Sequence, residues 1–297
     1  MPTTTANGID LYFDTFGDPS DPTVLLVCGL GAQCVGYDDQ MCEMIAALGV
    51  HLVRYDNRDT GLSTHLHGEE VDQMAAMVQA LAGEQVTGAP YTLSTLAADG
   101  MALLDSLDVG AAHVVGCSMG GMIAQTMAIE HRPRVRSLTS VYSTTGEPEV
   151  GQPRPDVLAA LATIMVPSDD RAERVAQGVE LARLIGSPGV FDEERARERT
   201  EQLLDRSYDP AGVGRQLVAI LASGSRADAL PAVSAPTVVV HGDADPLIDI
   251  SGGRRTHELV EGSEFRVLEG MGHDLPPEYW DRVVDAVGTA VAAGEAR

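Results

Sequence analysis

An apolar run over residues 112–115 meets the pattern G-x-S-x-G at Gly116-Cys117-Ser118-Met119-Gly120 and passes at once into a stretch of helical spacing over 122–128. Strand, sharp turn and helix in that order are the context in which such a serine stands clear of its neighbours as a nucleophile. The turn needs residues without bulk on either side, because the strand and helix backbones nearly touch, and Gly116, Gly120 and Gly121 supply them. A helix that begins at the serine aims backbone N–H groups at the place where an oxyanion would form.

A hydroxyl is a weak nucleophile near neutral pH and needs a base, which in turn needs a carboxylate to orient it. Of the eight histidines, His51 and His113 open strands, the wrong end of a sheet for a site. His131 closes the helix after Ser118, His65 and His67 lie in a loop, His257 falls in a helix, and His241 ends a strand. His273 follows a strand near the C-terminus, in Gly270-Met271-Gly272-His273-Asp274-Leu275-Pro276, and is the candidate base. The turn after Val240 offers Asp243, Asp245 and Asp249. Asp245, which precedes a proline that can fix the turn, is the first candidate and Asp243 the next. This acidic cluster lacks the glycine and distal glutamate of an EF-hand loop. For the oxyanion, the candidate donors are the backbone N–H of Met119, next to the serine, and that of Leu30, in the glycine-flanked loop after the strand ending at Val27.

A strand buried on both faces is expected over 23–27, with others at 9–14, 51–55, 112–117, 135–142, 236–241 and 265–268. Helices are expected over 37–48, 71–81, 92–107, 253–260 and 279–292. Between about 146 and 230 the texture changes to helices and turns, with helices over 158–165, 172–185, 193–206 and 213–222. The expected organisation is a core of 1–145 and 231–297 with a helical insertion at 146–230.

The chain order Ser118, Asp245, His273 is that of the α/β-hydrolases, and the chain resembles this superfamily over nearly its whole length. Asp56-Asn57-Arg58-Asp59-Thr60-Gly61-Leu62-Ser63, Gly116-Cys117-Ser118-Met119-Gly120-Gly121-Met122, Val240-His241-Gly242-Asp243-Ala244-Asp245-Pro246 and the His273 loop are similar to a bacterial group that includes aclacinomycin methylesterase. The resemblance implies an α/β-hydrolase fold: a mostly parallel eight-stranded sheet flanked by helices, with a helical cap inserted after the sixth strand. It also implies a serine hydrolase cleaving a carboxylic ester, a carboxylesterase or methylesterase working through an acyl-enzyme. Cofactor-free haloperoxidases, C–C bond hydrolases and acyl transferases use the same three residues, and a small-molecule receptor could keep them. Dehalogenases and epoxide hydrolases of the fold use an aspartate nucleophile, which Ser118 argues against. Many relatives carry His-Gly where this chain has Cys28-Gly29.

Composition sets the outer bounds. A net charge of −24 over 297 residues disfavours nucleic acid and anionic membrane surfaces. The 20 basic residues are all arginine. No apolar run is long enough to span a membrane, and residues 1–7 lack the basic and apolar regions of a secretory signal, so a cytoplasmic protein is expected. Cys28, Cys34, Cys42 and Cys117 match no zinc spacing and are expected to be reduced, Cys117 as a buried small hydrophobe turned away from Ser118. Neither metal nor organic cofactor is expected. The expected partner is a small-molecule ester, and the sequence leaves the oligomeric state open.

Overall fold

The computed structural model describes residues 2–164 and 166–297. Met1, and Met165 at the expected end of a helix, lie outside the described residues. The chain runs β1 (Thr3–Ala6), β2 (Ile9–Phe16), β3 (Thr23–Val27), α1 (Asp39–Ala46), β4 (His51–Tyr55), α2 (Gln73–Leu81), α3 (Leu93–Ser106), β5 (Ala112–Cys117), α4 (Met119–Glu130) and β6 (Val135–Val141). Four helices follow: α5 (Pro155–Ile164), α6 (Arg171–Ile185), α7 (Glu193–Arg206) and α8 (Pro210–Ser223). The alternation then resumes with β7 (Thr237–Gly242), α9 (Ser251–Leu259), β8 (Glu264–Leu268) and α10 (Pro277–Glu295).

These strands form one sheet in the order β1-β2-β4-β3-β5-β6-β7-β8. β1 and β2 pair antiparallel, β2 joins β4 antiparallel, and every later pairing is parallel. Every residue of β3, β4, β5 and β7 is buried, as strands covered by helices on both faces require. The alternation of side chains along a strand divides each continuous apolar run between two cores. In β3, Leu25 and Val27 pack with Leu96, Met119 and Ile123 of α3 and α4, whereas Val24 and Leu26 pack with Ile45, Val283 and Val287 of α1 and α10.

β1 is absent from the sequence-based expectation. Its Thr-rich residues carry no apolar signal, but the turn that joins it to β2 does: Asn7 and Gly8 both take positive φ, at 50° and 79°. Asn-Gly between two strands is the two-residue hairpin turn whose twist matches the strands it joins. The helix expected at 71–81 forms as α2, with its apolar residues divided. Ala76 is buried in a small cluster with Val86 and Val218, and Met74, Val78 and Leu81 face outward. Among the described residues, no helix is long and apolar enough to cross a membrane.

The loop after β4 is a polar turn, and its Asp56, Asn57, Arg58, Asp59 and Thr60 are all buried. Asp56 accepts the Cys34 and Leu62 backbone N–H groups at 2.7 and 2.9 Å and pairs with Arg206 of α7 at 2.6 Å. Asp59 takes a two-point bond from Arg215 of α8 at 2.7 and 2.9 Å, and the Tyr91 hydroxyl at 2.7 Å. Arg58 forks onto Asp99 of α3 through two 2.6 Å bonds, and Asn7 adds a third donor at 2.7 Å. Each carboxylate is matched by fixed donors, the condition for keeping charge in an interior. Asp99→Ala should therefore leave Arg58 buried without a counter-charge and cost about 3–5 kcal/mol. Urea unfolding measures this, and a loss under about 1 kcal/mol would contradict the assignment.

Candidate active site

Ser118 occupies the single residue between β5 and α4, with φ 57° and ψ −122°. A non-glycine residue in this region stores about 1–3 kcal/mol that the surroundings must impose. The surroundings are backbone. A Cβ on Gly116 would lie 2.0 Å from the Gly120 carbonyl oxygen, and one on Gly120 would lie 2.0 Å from the Val27 carbonyl oxygen. Strand β5, helix α4 and strand β3 thus touch main chain to main chain. The Ser118 N–H is spent on the Val141 carbonyl at 3.0 Å, and its carbonyl accepts Gly121 N–H at 2.9 Å and the Ser143 hydroxyl at 2.8 Å. Only the side chain is left to act, and Ser118 is partly exposed.

Three side chains from separate loops meet here. His273 Nε2 lies 3.0 Å from Ser118 Oγ, and His273 Nδ1 lies 2.8 Å from Asp245 Oδ2. With the proton on Nδ1 donated to Asp245, the unprotonated Nε2 accepts from the Ser118 hydroxyl. Asp245 sits in the turn after β7, where its Oδ1 accepts the Leu247 and Ile248 N–H groups, both at 2.9 Å. His241, fully buried at the end of β7, donates from Nε2 to the Ile248 carbonyl at 2.8 Å and stands 3.5 Å from Asp245 Oδ2. Burial on its own would raise the Asp245 pKa. Once His273 is protonated, its charge, its bond to Asp245, the Ile248 N–H and the nearby His241 ring outweigh burial and hold the carboxyl at about 2, below the ordinary 3.8. Asp243, the other candidate acid, is exposed and accepts the Gly270 N–H at 2.7 Å, away from the imidazole. Asp249 is also exposed and caps Ser251 N–H at 2.9 Å.

The His273 loop is held from two sides. The Tyr142 ring lies against the imidazole at 4.6 Å between centroids. His273 N–H donates to the Ile185 carbonyl at the end of α6 at 2.7 Å, and Asp274 accepts the Ser187 hydroxyl at 2.5 Å and its N–H at 3.0 Å. On the other side of Ser118 runs the loop after β3. A Cβ on Gly29 would sit 3.4 Å from Ser118 Cβ and 3.9 Å from its Oγ. Met119 is the first residue of α4, so its N–H has no acceptor within the helix. Among the described residues, neither it nor the Leu30 N–H has an acceptor elsewhere. Cys28, where many relatives have histidine, turns its thiol to the Tyr55 carbonyl at 3.5 Å. Cys117 is buried beside Tyr37 and Tyr142, and burial raises its thiol pKa to about 11.

Sequence reasoning missed the groups that hold this arrangement. Tyr142, Ser143, Ile185 and Ser187 belong to segments with no motif, and only the folded chain brings them to the site.

The chain belongs to the alpha/beta hydrolase fold family, whose model matches residues 22–278, and is an enzyme of that family. It is 30% identical to rhodomycin D methylesterase DnrP of Streptomyces peucetius, over 93% of this chain and 93% of that protein. It is 25% identical to 3-oxoadipate enol-lactonase 2 of Acinetobacter baylyi, over 96% and 95% of the two chains. Among solved structures, the enol-lactonase of Burkholderia xenovorans LB400 superposes with a TM-score of 0.72 over the full length of both chains, at 19% identity. The meta-cleavage product hydrolase CumD of Pseudomonas fluorescens IP01 gives 0.75 over 100% of this chain and 98% of that one, at 18% identity. These two structures share the fold.

The carboxylate–imidazole bond has a consequence for stability. Because the fold holds Asp245 ionised below the pKa of a free aspartate, the resulting stabilisation is complete above about pH 4 and is lost as pH falls toward 2. Asp245→Asn should therefore be less stable than the parent protein at neutral pH, and the gap should close between pH 4 and 2. Thermal unfolding of both proteins across that range checks this, and a gap independent of pH would contradict it.

Proposed function

We propose that the chain is a serine esterase hydrolysing a carboxylic ester through an acyl-enzyme. The observation that carries the reading is the continuous relay from Ser118 Oγ to His273 Nε2 at 3.0 Å and from His273 Nδ1 to Asp245 Oδ2 at 2.8 Å. In the first step His273 takes the Ser118 proton as Oγ attacks the ester carbonyl, and Asp245 stabilises the imidazolium. The Met119 and Leu30 N–H groups hold the tetrahedral oxyanion, a role that needs donors free of other acceptors. The imidazolium then protonates the departing alcohol. In the second step water, deprotonated by His273, attacks the acyl-enzyme and releases the acid, returning Ser118 its proton.

Two named relatives support an ester carbonyl as the reacting group. One is a methylesterase and the other an enol-lactonase, and a lactone is a cyclic ester. We read the substrate as a small-molecule ester, with a methyl ester the first to test. We also read residues 146–230 as a cap over the site and 1–145 with 231–297 as the core. The bonds from Ile185 and Ser187 to the His273 loop support that reading. No step in this chemistry requires a metal or cofactor.

Turnover of a 4-nitrophenyl ester series, together with methyl esters of bulky polycyclic acids, tests the assignment. Ser118→Ala should lose about 10⁴-fold or more of kcat with an unchanged circular dichroism spectrum. Turnover near the parental level in this variant would end the serine mechanism. Asp245→Asn should lose about 10³- to 10⁴-fold, because the imidazole would be held in the wrong tautomer. Asp243→Asn should stay within about threefold. The reverse ranking of the two aspartates would move the acid to Asp243.

A further inference from the structure

The loop after β3 carries the Leu30 N–H between two glycines, Gly29 and Gly31. Neither restricts its own backbone, so the direction of the Leu30 N–H depends on the hydrogen bonds that hold the peptide planes around it. Each peptide unit is planar, so anchoring a carbonyl or an N–H fixes the whole plane. The plane before Gly29 is anchored at the Cys28 carbonyl, which accepts Asn57 Nδ2 at 3.0 Å. The plane after Leu30 is anchored at the Gly31 N–H, which donates to Gln216 Oε1 at 2.8 Å. The plane between them, which presents the Leu30 N–H, is tied by its Gly29 carbonyl to the Ala32 N–H at 3.2 Å.

Gln216 stands on α8, far along the chain, and is fully buried. Its Nε2 donates to the Arg58 carbonyl at 2.8 Å and to the Thr60 hydroxyl at 2.6 Å. These partners also fix which way the amide points. A flipped amide would set Nε2 against the Gly31 N–H and Oε1 against the Arg58 carbonyl, two repulsive contacts in place of attractive ones. The side chain therefore rivets the loop after β3 to the loop after β4 from a helix of the insertion.

We propose that Gln216 is the positioning residue of the oxyanion site: it sets the plane next to Leu30 and so aims the Leu30 N–H at the oxyanion formed on Ser118. The inference rests on the esterase reading above. It assigns to α8 a part in transition-state binding, beyond covering the substrate. Without the Gln216 acceptor the half-buried Gly31 N–H loses its partner and the loop turns to satisfy it. A displacement of about 1 Å at a catalytic donor costs on the order of 10²-fold in rate.

The test measures kcat and KM on a 4-nitrophenyl ester for the parent protein, Ser118→Ala, Gln216→Met and Gln216→Glu. It also measures the affinity of each active form for a trifluoromethyl ketone, which adds to the serine and forms a stable oxyanion. Gln216→Met keeps the volume and removes the bonds. It should lower kcat about 10- to 100-fold with KM within about threefold, and should weaken the ketone by a factor similar to the loss in kcat. Gln216→Glu keeps an acceptor for the Gly31 N–H but sets an oxygen against the Arg58 carbonyl, so its kcat should fall between those of Gln216→Met and the parent. A folded Gln216→Met with kcat within about threefold of the parent overturns the inference and leaves the esterase reading standing. Absence of Ser118-dependent turnover in the parent overturns both. Should Gln216→Met fail to fold, amide hydrogen exchange in the parent decides: Gly31 should be protected and Leu30 not, and equal exchange at the two overturns the inference.

Discussion

Main-chain contact at the Ser118 turn is the constraint on which the rest of this structure depends. With a Cβ on Gly120 only 2.0 Å from the Val27 carbonyl, strand β3 and helix α4 leave no room for any side chain at that point. The same closeness drives Ser118 into its positive-φ conformation, spends its N–H and carbonyl on neighbours, and leaves Oγ free beside His273. A hydroxyl in this position is presented at the carboxyl ends of parallel strands, where the loops after β3, β7 and β8 converge. The strain is supported by two cores, one on each face of the sheet, that fix the strands against one another.

A second constraint is electrostatic. The 20 arginines face 44 acidic residues, and several of them are placed under the surface. Arg58, Arg206 and Arg215 each meet a buried aspartate, and two of the three come from α7 and α8. Helices α7 and α8 are thereby tied to the loop after β4 by charge-assisted bonds at defined points. Such pairs specify geometry more than they add stability, since each charge must first be taken out of water. Here the specified geometry includes the loop after β4, whose Asn57 holds Cys28 and whose Arg58 and Thr60 hold Gln216.

Much of the fold and of the candidate site could be read from the chain because the relevant signals are short. The buried strands are unbroken apolar runs, and the run at 112–115 leads into a glycine-flanked serine that few backbones other than a strand–turn–helix accommodate. His273 stood out by its place after a strand, and Asp245 by the proline beside it. The distinction between Asp243 and Asp245 was harder, since both lie in one turn and only the direction of each side chain separates them. What sequence did not reveal is of another kind. Asp99 sits on a leucine-rich helix face and gives no local sign of meeting Arg58. Gln216 is one polar residue in a helix, and its partners lie more than 150 positions away. Such pairings arise from tertiary structure, which no window of a few residues contains. β1 escapes the sequence pattern because its strand is polar and short, although Asn7-Gly8 supplies its turn.

In the proposed mechanism Ser118 carries the acyl group during turnover and His273 makes it able to do so. Rapid acid quench of the protein during hydrolysis of a slowly deacylating ester, followed by peptide mass spectrometry, tests it most directly. A burst of alcohol release should be matched by one acyl group on the peptide containing Ser118, with neither detected in His273→Gln. Turnover that proceeds with the acyl group on another residue, or with no adduct at any time, would contradict it.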